Sequence, residues 1–194
     1  RSVWIIAYGF FVGFAIIIGL TGILETLLPS LGIMPTLGLS NPVVITQALI
    51  LAFGIIGAFV ISFISDKVQR RKPFLLLALV MGAVTTLILG TSTVVLLTYI
   101  ISTLLGFFLI SVMPVALSTL EELKTVGPRL SGASAGLAFW LGNWGGFLGL
   151  IILEGLKVDT SYFYSILFLF IATLIAAALV LLIPETGKRE KGKK

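Results

Sequence analysis

The sequence predicts an all-α polytopic membrane protein with six transmembrane helices. Only 11% of its 194 residues are charged and 58% are hydrophobic, whereas a soluble domain carries about 25% charged residues. The apolar residues run in long uncharged stretches, and about 20 such residues in a helix cross the hydrocarbon core of a bilayer. The short segments of alternating polarity that form a membrane β-barrel do not occur in the sequence. The first partner to expect is therefore the lipid bilayer.

Six stretches have the length and composition of a membrane span. In chain order the predicted spans are Val3–Leu28, Val43–Ser65, Phe74–Gly90, Val94–Ser118, Leu130–Leu153 and Tyr162–Ile183. A connector rich in proline and glycine separates the first two spans, and Thr91–Thr93 is a tight uncharged turn. The first span is too long for a cleaved signal peptide and is followed by five more. Residues 1–183 are therefore predicted to form one transmembrane domain, and residues 184–194 a basic tail.

Lysine and arginine are distributed unevenly between the two sides of this domain. One side has Arg1, four bases in residues 66–73, two in residues 119–129 and five in the tail, whereas the other side has only Lys157. Basic residues in short loops favour the cytoplasmic side. We therefore expect a multi-pass protein of the cell (plasma) membrane with both termini in the cytoplasm. This topology also explains the net charge of +5, so nucleic acid is not an expected partner.

The residue types of most enzyme sites are missing from the sequence. It contains no cysteine and no histidine, which excludes thiolate metal sites, disulfides and catalytic histidines within this chain. Glu121 and Glu122 are adjacent, so on a helix they point about 100° apart and form no convergent acid–base pair. Phosphate-binding loops and zinc-ligand patterns do not occur either. We expect a protein that is not an enzyme and that uses no metal or other cofactor.

The connector between the second and third spans has the most specific pattern. It reads Ser62-Phe-Ile-Ser-Asp-Lys-Val-Gln-Arg-Arg-Lys72 and resembles the signature loop of the major facilitator superfamily, G-x-L-A-D-R-x-G-R-(R/K). The matching positions are Asp66, Lys67, Arg70 and Arg71. Ser62 and Gln69 stand where the family has glycine. An acid at a helix end can pair with nearby guanidinium groups, which predicts a conformational latch. The alternative is that these bases only set the membrane topology.

A second match follows the last span, where Pro184-Glu185-Thr186-Gly187 resembles the end of each half in many facilitator carriers. Proline there ends the helix, and the acid begins the tail. Facilitator carriers consist of two six-helix halves, and this chain has one signature loop. The resemblance implies half of a major-facilitator-type bundle, the C-terminal half, with a second six-helix half as partner. It also implies secondary active transport of a small solute, by symport or antiport, through alternating access.

Four polar residues inside the predicted spans are candidates for contact with the solute or with a coupling ion. Glu25 is the one acid predicted inside a span, and an ionisable group in a membrane by default faces protein or water. It is a candidate site for a coupling proton or sodium ion or a gate at the outer mouth, although its place near the end of the span also fits an interfacial residue. Asn143, in the fifth span, can donate and accept hydrogen bonds, either with a solute or between helices. Gln47 and Thr21 are further candidates of the same kind.

Small residues and a proline indicate where the helices pack or bend. Pro114 removes a backbone hydrogen bond within the fourth span and predicts a kink that acts as a hinge. The fifth span has glycines four residues apart, a spacing that lets helices approach closely. The predicted packing glycines are Gly132, Gly136, Gly142, Gly146 and Gly149.

Two other functions compete with the carrier. The membrane subunit of an ATP-driven permease often has six spans and a cytoplasmic E-A-A-x-x-x-G loop. Glu121 and Gly127 have that separation, but both alanines are replaced. A non-transporting helical membrane subunit is the third alternative. The few polar groups inside the spans favour a neutral or weakly charged organic solute.

Overall fold

The computed structural model describes residues 1–187 and has six helices long and apolar enough to cross a membrane. In chain order they are α1 (Ser2–Ser30), α2 (Pro42–Val68), α3 (Lys72–Leu89), α4 (Val95–Glu121), α5 (Gly127–Gly155) and α6 (Phe163–Val180). The described residues contain no β-strand, so the predicted all-α class with six spans is confirmed. The predicted bases of the tail lie outside the described residues; they are Lys188, Arg189, Lys191, Lys193 and Lys194.

Helix α2 continues beyond the apolar run that predicts it. It ends at Val68, where Gln69 adopts the left-handed conformation with φ 56° and donates its backbone N–H to the carbonyl of Asp66. The hydropathy of the sequence shows which part of a helix lies in the apolar layer of the membrane. The helix itself can continue beyond that layer, and it ends where its backbone turns. Asp66 and Lys67 therefore lie on the last turn of α2 rather than in the connector to α3.

Glycines mark the closest approaches between helices. Where α2 crosses α4, a Cβ on Gly57 would meet the carbonyl oxygen of Phe107, and a Cβ on Gly106 would meet that of Ile50. Where α1 crosses α5, a Cβ on Gly145 would meet the backbone of α1. Helices in lipid have no hydrophobic driving force for association, so van der Waals contact between closely spaced backbones stabilises the bundle instead.

Helix α1 changes its winding near the middle, because residues Ala15–Leu20 are π-helical. Immediately after this turn, the carbonyl of Thr21 accepts a hydrogen bond of 3.1 Å from the side-chain amide of Gln47 on α2. The hydroxyl of Thr21 donates to the carbonyl of Ile17 within α1. A π-helical turn inside an α-helix often marks a functional position. Here it separates a first segment of α1 from a second segment, Thr21–Ser30, that is bonded to α2.

The buried core forms two apolar clusters. Phe10 and Leu120 belong to one of them, and Leu24 and Leu105 belong to the other. Large apolar side chains also cover the outer surface, such as Phe59, which is 75% exposed. Lipid tails are as apolar as these side chains, so a bilayer accommodates such a surface. The chain is therefore a multi-pass integral membrane protein, apolar both inside and outside.

Candidate functional site

Arg71 joins the ends of three helices at one end of the bundle. It directly precedes α3, and its guanidinium donates Nη1–H to Asp66 Oδ1 on the last turn of α2. Nη2 and Nε donate to Glu122 Oε1 at 2.8 Å and 3.2 Å, just after the end of α4. The α2–α3 connector, the α4–α5 connector and the segment after α6 all lie here. We call this end the basic end and the opposite end the far end.

The guanidinium of Arg71 is buried more deeply than either of its partners. Its side chain is 10% exposed, whereas that of Glu122 is 33% exposed and that of Asp66 is 61% exposed. Burial lowers the pKa of Arg71, but the hydrogen bonds and charges of Glu122 and Asp66 raise it by more, so the net pKa lies above its ordinary value. The guanidinium therefore stays charged at every pH that a membrane meets. Its two carboxylates offset the cost of holding that charge away from water.

A third carboxylate, that of Glu185, lies at the N-terminus of α3. Its Oε1 accepts the backbone N–H of Arg71 at 2.9 Å and that of Lys72 at 3.1 Å. These N–H groups have no acceptor inside the helix, and a negative charge there is also stabilised by the helix dipole. The side chain of Lys72 adds to these contacts, because its Nζ donates to the carbonyls of Leu181 and Ile183, just after α6. The segment after α6 is therefore bound to the start of α3 through one of its own side chains, Glu185, and through the side chain of Lys72.

Gly187 brings this segment against the turn between α2 and α3. Its φ of +91° is rare for residues that have a side chain. A Cβ at this position would also lie 2.9 Å from the backbone carbonyl carbon of Gln69. Glycine is required here for two independent reasons. The Pro-Glu-Thr-Gly segment and the signature loop thus form one structure, although they are far apart in the sequence.

The four residues predicted to form the latch differ in their contacts. Asp66 and Arg71 form an ion pair. Lys67 and Arg70 are exposed, and their side chains pair with no acid among residues 1–187. Of these bases, Arg71 is the one that contacts acids of both α2 and the α4–α5 connector among residues 1–187, and a latch of all four residues stays a prediction.

Two acids of the basic end lie outside the predicted set of latch residues. Glu122 and Glu185 are 51 and 114 residues away from Arg71 in the sequence. The sequence does indicate that these acids lie at the same end of the bundle as Asp66, because each of them follows an even-numbered span. The count of spans does not say which acid contacts which base. Packing of the helix ends decides that.

The four solute or ion candidates divide into a bonded pair and two exposed residues. Thr21 and Gln47 form the hydrogen bond between α1 and α2 described above. Glu25 is exposed one turn further along α1, and its carboxylate forms no hydrogen bond or ion pair within the described part of the chain. Asn143 is exposed on α5 and donates to the carbonyl of Phe139 at 2.8 Å.

Asn143 also lines an open concavity of about 320 Å³ on α5. The other lining residues are Trp140, Trp144 and Phe147. The two tryptophan rings meet edge to face, with their centroids 6.2 Å apart. Aromatic faces combined with one amide are typical of pockets that bind small organic molecules.

The predicted packing glycines of α5 fall into two groups. A Cβ on three of them would lie 2.6–3.0 Å from an atom of α1; these are Gly142, Gly146 and Gly149. Gly132 and Gly136 are exposed, and a Cβ on either would meet no atom of residues 1–187 within 4 Å. The first group lies in the crossing of α1 and α5. The second group lies on the exposed surface of α5.

Helix α4 runs without interruption through Pro114. The hydroxyl of Ser118 donates to the carbonyl of Pro114 at 3.0 Å, and that of Ser111 donates to the carbonyl of Phe108. Neither of these carbonyls is that of Ile110, which loses its backbone donor at Pro114. A hinge at Pro114 stays a prediction.

Comparison with known proteins identifies the family of this chain. The family model described as "Sugar (and other) transporter" matches residues 5–191. A protein of Archaeoglobus fulgidus, described as an uncharacterized protein, is 33% identical over 109 residues, which cover 56% of this chain and 49% of that protein. The chain spans about half the length of this relative. With its six spans, signature loop and Pro-Glu-Thr segment, the chain belongs to the sugar (and other) transporter family and resembles a six-helix half of a major facilitator transporter.

Proposed function

We propose that this chain is the C-terminal half of a secondary carrier that moves a small organic solute by alternating access. Family membership supports solute transport, and six spans with one signature loop correspond to one half of a two-part carrier. A second six-helix half supplies the other wall of the solute cavity, as in carriers built from repeats. Both termini lie in the cytoplasm, at the plasma membrane, because lysine and arginine are concentrated at the basic end.

The observation that carries the proposal is the set of contacts around Arg71. Its guanidinium joins Asp66 of α2 to Glu122 after α4, and its backbone N–H binds Glu185 after α6. Separation of these helices at the basic end therefore breaks charge-assisted hydrogen bonds. Because Asp66 is largely exposed, water solvates its carboxylate when the pair opens. A cluster of such bonds can close in one state of the carrier and open in the other.

Exposed polar groups in the spans support a solute cavity. Glu25 and Asn143 are exposed within membrane-spanning helices, and a lipid-facing carboxylate would be costly. In the proposed carrier both residues face the cavity between the two halves. The aromatic concavity beside Asn143 offers the solute an apolar surface, and Glu25 is the acid available to a coupling proton or sodium ion.

Transport by the intact carrier in proteoliposomes tests this function. We expect uptake of a solute driven by a proton or sodium gradient in the absence of ATP. Asp66→Asn removes one charge from the Arg71 cluster and should slow uptake by about fivefold, the effect of ~1 kcal/mol on a two-state equilibrium, while membrane insertion is unchanged. Glu121→Gln is the matched control, because this exposed acid of the same end forms no ion pair among the described residues.

The same experiment separates the carrier from its alternatives. Strict dependence of uptake on a nucleotide-hydrolysing partner contradicts the carrier and supports a permease subunit. Equal rates in wild type and Asp66→Asn would show that Asp66 is a topology residue and not part of a latch. A loss of uptake in Glu121→Gln, with Asp66→Asn active, favours the permease reading of the α4–α5 connector.

A further inference from the structure

At the far end, the phenol of Tyr162 lies between α1, α5 and the α5–α6 connector. Tyr162 directly precedes α6 and is 2% exposed. Its hydroxyl lies 2.6 Å from Glu154 Oε1 near the end of α5 and 3.0 Å from Lys157 Nζ in the connector. It also lies 2.7 Å from the hydroxyl of Thr26 on α1. Within residues 1–187, none of these hydrogen bonds involves the basic end.

The bonding capacity of the phenol fixes the direction of each hydrogen bond. A lysine ammonium only donates, and an ionised carboxylate only accepts. The single proton of Tyr162 therefore goes to Glu154, and the phenol oxygen accepts from Lys157. Thr26 must then donate to the same oxygen, which completes the bonding of Tyr162. The hydrogen bond from Lys157 raises the pKa of that lysine, in keeping with a charged donor.

The connector that carries this phenol is a tight turn. Val158 and Ser161 exchange two backbone hydrogen bonds, of 3.1 Å and 2.9 Å, around Asp159, whose φ is 52°. Further along, the hydroxyl of Ser165 on α6 donates to the carbonyl of Leu153 on α5 at 2.6 Å. The ends of α5 and α6 are therefore held together by several bonds of their own.

The second segment of α1, Thr21–Ser30, is held to this connector by the hydrogen bond from Thr26 to Tyr162, and the donor of that bond has a second acceptor nearby. The hydroxyl of Thr26 also lies 2.9 Å from the carbonyl of Ile23 within α1. When Thr26 separates from Tyr162, its proton still has that intrahelical acceptor. Separation therefore leaves no unsatisfied donor on α1. The π-helical turn Ala15–Leu20 lies just before the segment, where a change of winding can absorb its movement.

We infer that Tyr162 is a positioning residue that holds the Thr21–Ser30 segment of α1 on the α5–α6 connector and releases it through its bond to Thr26. Glu25 is adjacent to Thr26 on the same helix, so this bond also fixes the position of the one exposed acid of α1. The consequence for transport depends on the proposed function. The attachment itself does not, and it is tested separately.

Hydrogen–deuterium exchange of the intact protein in lipid nanodiscs tests the attachment. In Tyr162→Phe and in Thr26→Val, backbone amides of Thr21–Ser30 should exchange faster than in wild type, by about threefold to tenfold, the factor given by the net strength of one hydrogen bond. Because both variants break the same bond, the double variant should exchange no faster than the faster single variant. Tyr164→Phe is the control, since the side chain of this tyrosine is exposed and its hydroxyl forms no hydrogen bond among the described residues.

Three results would overturn the inference. They are unchanged exchange of the segment in both single variants, additive effects in the double variant, and an equal rise in Tyr164→Phe. Thr26 is exposed, so Thr26→Val gives a result even if Tyr162→Phe does not fold. Solute uptake, measured in parallel, should change in Tyr162→Phe and not in Tyr164→Phe. Faster exchange without any uptake in wild type would uphold the attachment and contradict the carrier.

Discussion

Arg71 contacts three acids because its side chain is a flat group with five donors and because its backbone N–H lies at the start of a helix. The side chain donates to Asp66 and Glu122, and the backbone donates to Glu185. Lysine would keep the charge, but its compact ammonium does not match two carboxylates in fixed directions. Each acid contacts a different part of the arginine, so the contacts can be removed one at a time.

Glu185→Gln tests the contact with the helix terminus apart from the ion pairs. Glutamine keeps the shape and one acceptor oxygen, but it lacks the charge that the N-terminus of α3 favours. We expect the free energy of unfolding to fall by about 0.3–1 kcal/mol, the usual contribution of a charge at a helix terminus. Thermal unfolding in detergent, followed by circular dichroism, measures the change. A variant as stable as wild type, with Glu121→Gln as the reference, would show that Glu185 does not cap α3.

The charge pattern of the sequence predicts that Asp66 and Arg71 belong to one site. It does not predict that Arg71, and not Arg70, forms the ion pairs. The two arginines are neighbours in the sequence with the same side chain. Their difference comes from the left-handed residue Gln69 and from the start of α3 at Lys72, which place only Arg71 between two acids. Local composition contains no information on that choice.

At the scale of helices, glycine decides which pairs cross closely. The crossing of α2 and α4 uses Gly57 against the backbone of Phe107 and Gly106 against that of Ile50. Because the obstacle in both cases is a carbonyl group of the partner helix, no side-chain rearrangement can make room for a methyl group. The helices themselves must move apart.

Alanine at these glycines should therefore weaken the bundle. We expect Gly57→Ala and Gly106→Ala each to lower the free energy of unfolding by about 1–3 kcal/mol, the usual cost of overpacking. Gly9→Ala is the control, because a Cβ on this buried glycine would meet no described atom within 4 Å. Unfolding in a series of detergent mixtures compares the three. Equal stability of all three variants would mean that the backbones of α2 and α4 have room for a methyl group where they cross.

Hydropathy predicts the number and order of the helices because membrane thickness imposes an apolar length on every span. It does not predict the π-helical turn of α1, Ala15–Leu20. The sequence of that segment is typical of an ordinary apolar helix, and it does not show that Gly19 lies close to the backbone of Gly149 on α5. Gly132 and Gly136 have the same spacing as the buried glycines of α5, so spacing alone does not distinguish packed from exposed positions.

At the scale of the whole molecule, the two ends of the bundle are held by different chemistry. The basic end has an ion-pair cluster around Arg71, with helix termini capped by charges from distant segments. The far end has a phenol held by Glu154, Lys157 and Thr26. In the proposed carrier the two ends open at different times, and the bonds at each end are weak enough singly to break during a transport cycle.

The orientation of these two ends in the membrane is open to a direct test, because the chain contains no cysteine. A single cysteine at Thr36, in the exposed connector between α1 and α2, marks the far end; a single cysteine at Thr125, exposed between α4 and α5, marks the basic end. Basic residues favour the cytoplasmic side, so a membrane-impermeant maleimide should label Thr36→Cys in intact cells and Thr125→Cys only after the membrane is permeabilised. The reverse pattern would contradict cytoplasmic termini, and labelling of both sites in intact cells would contradict a single orientation.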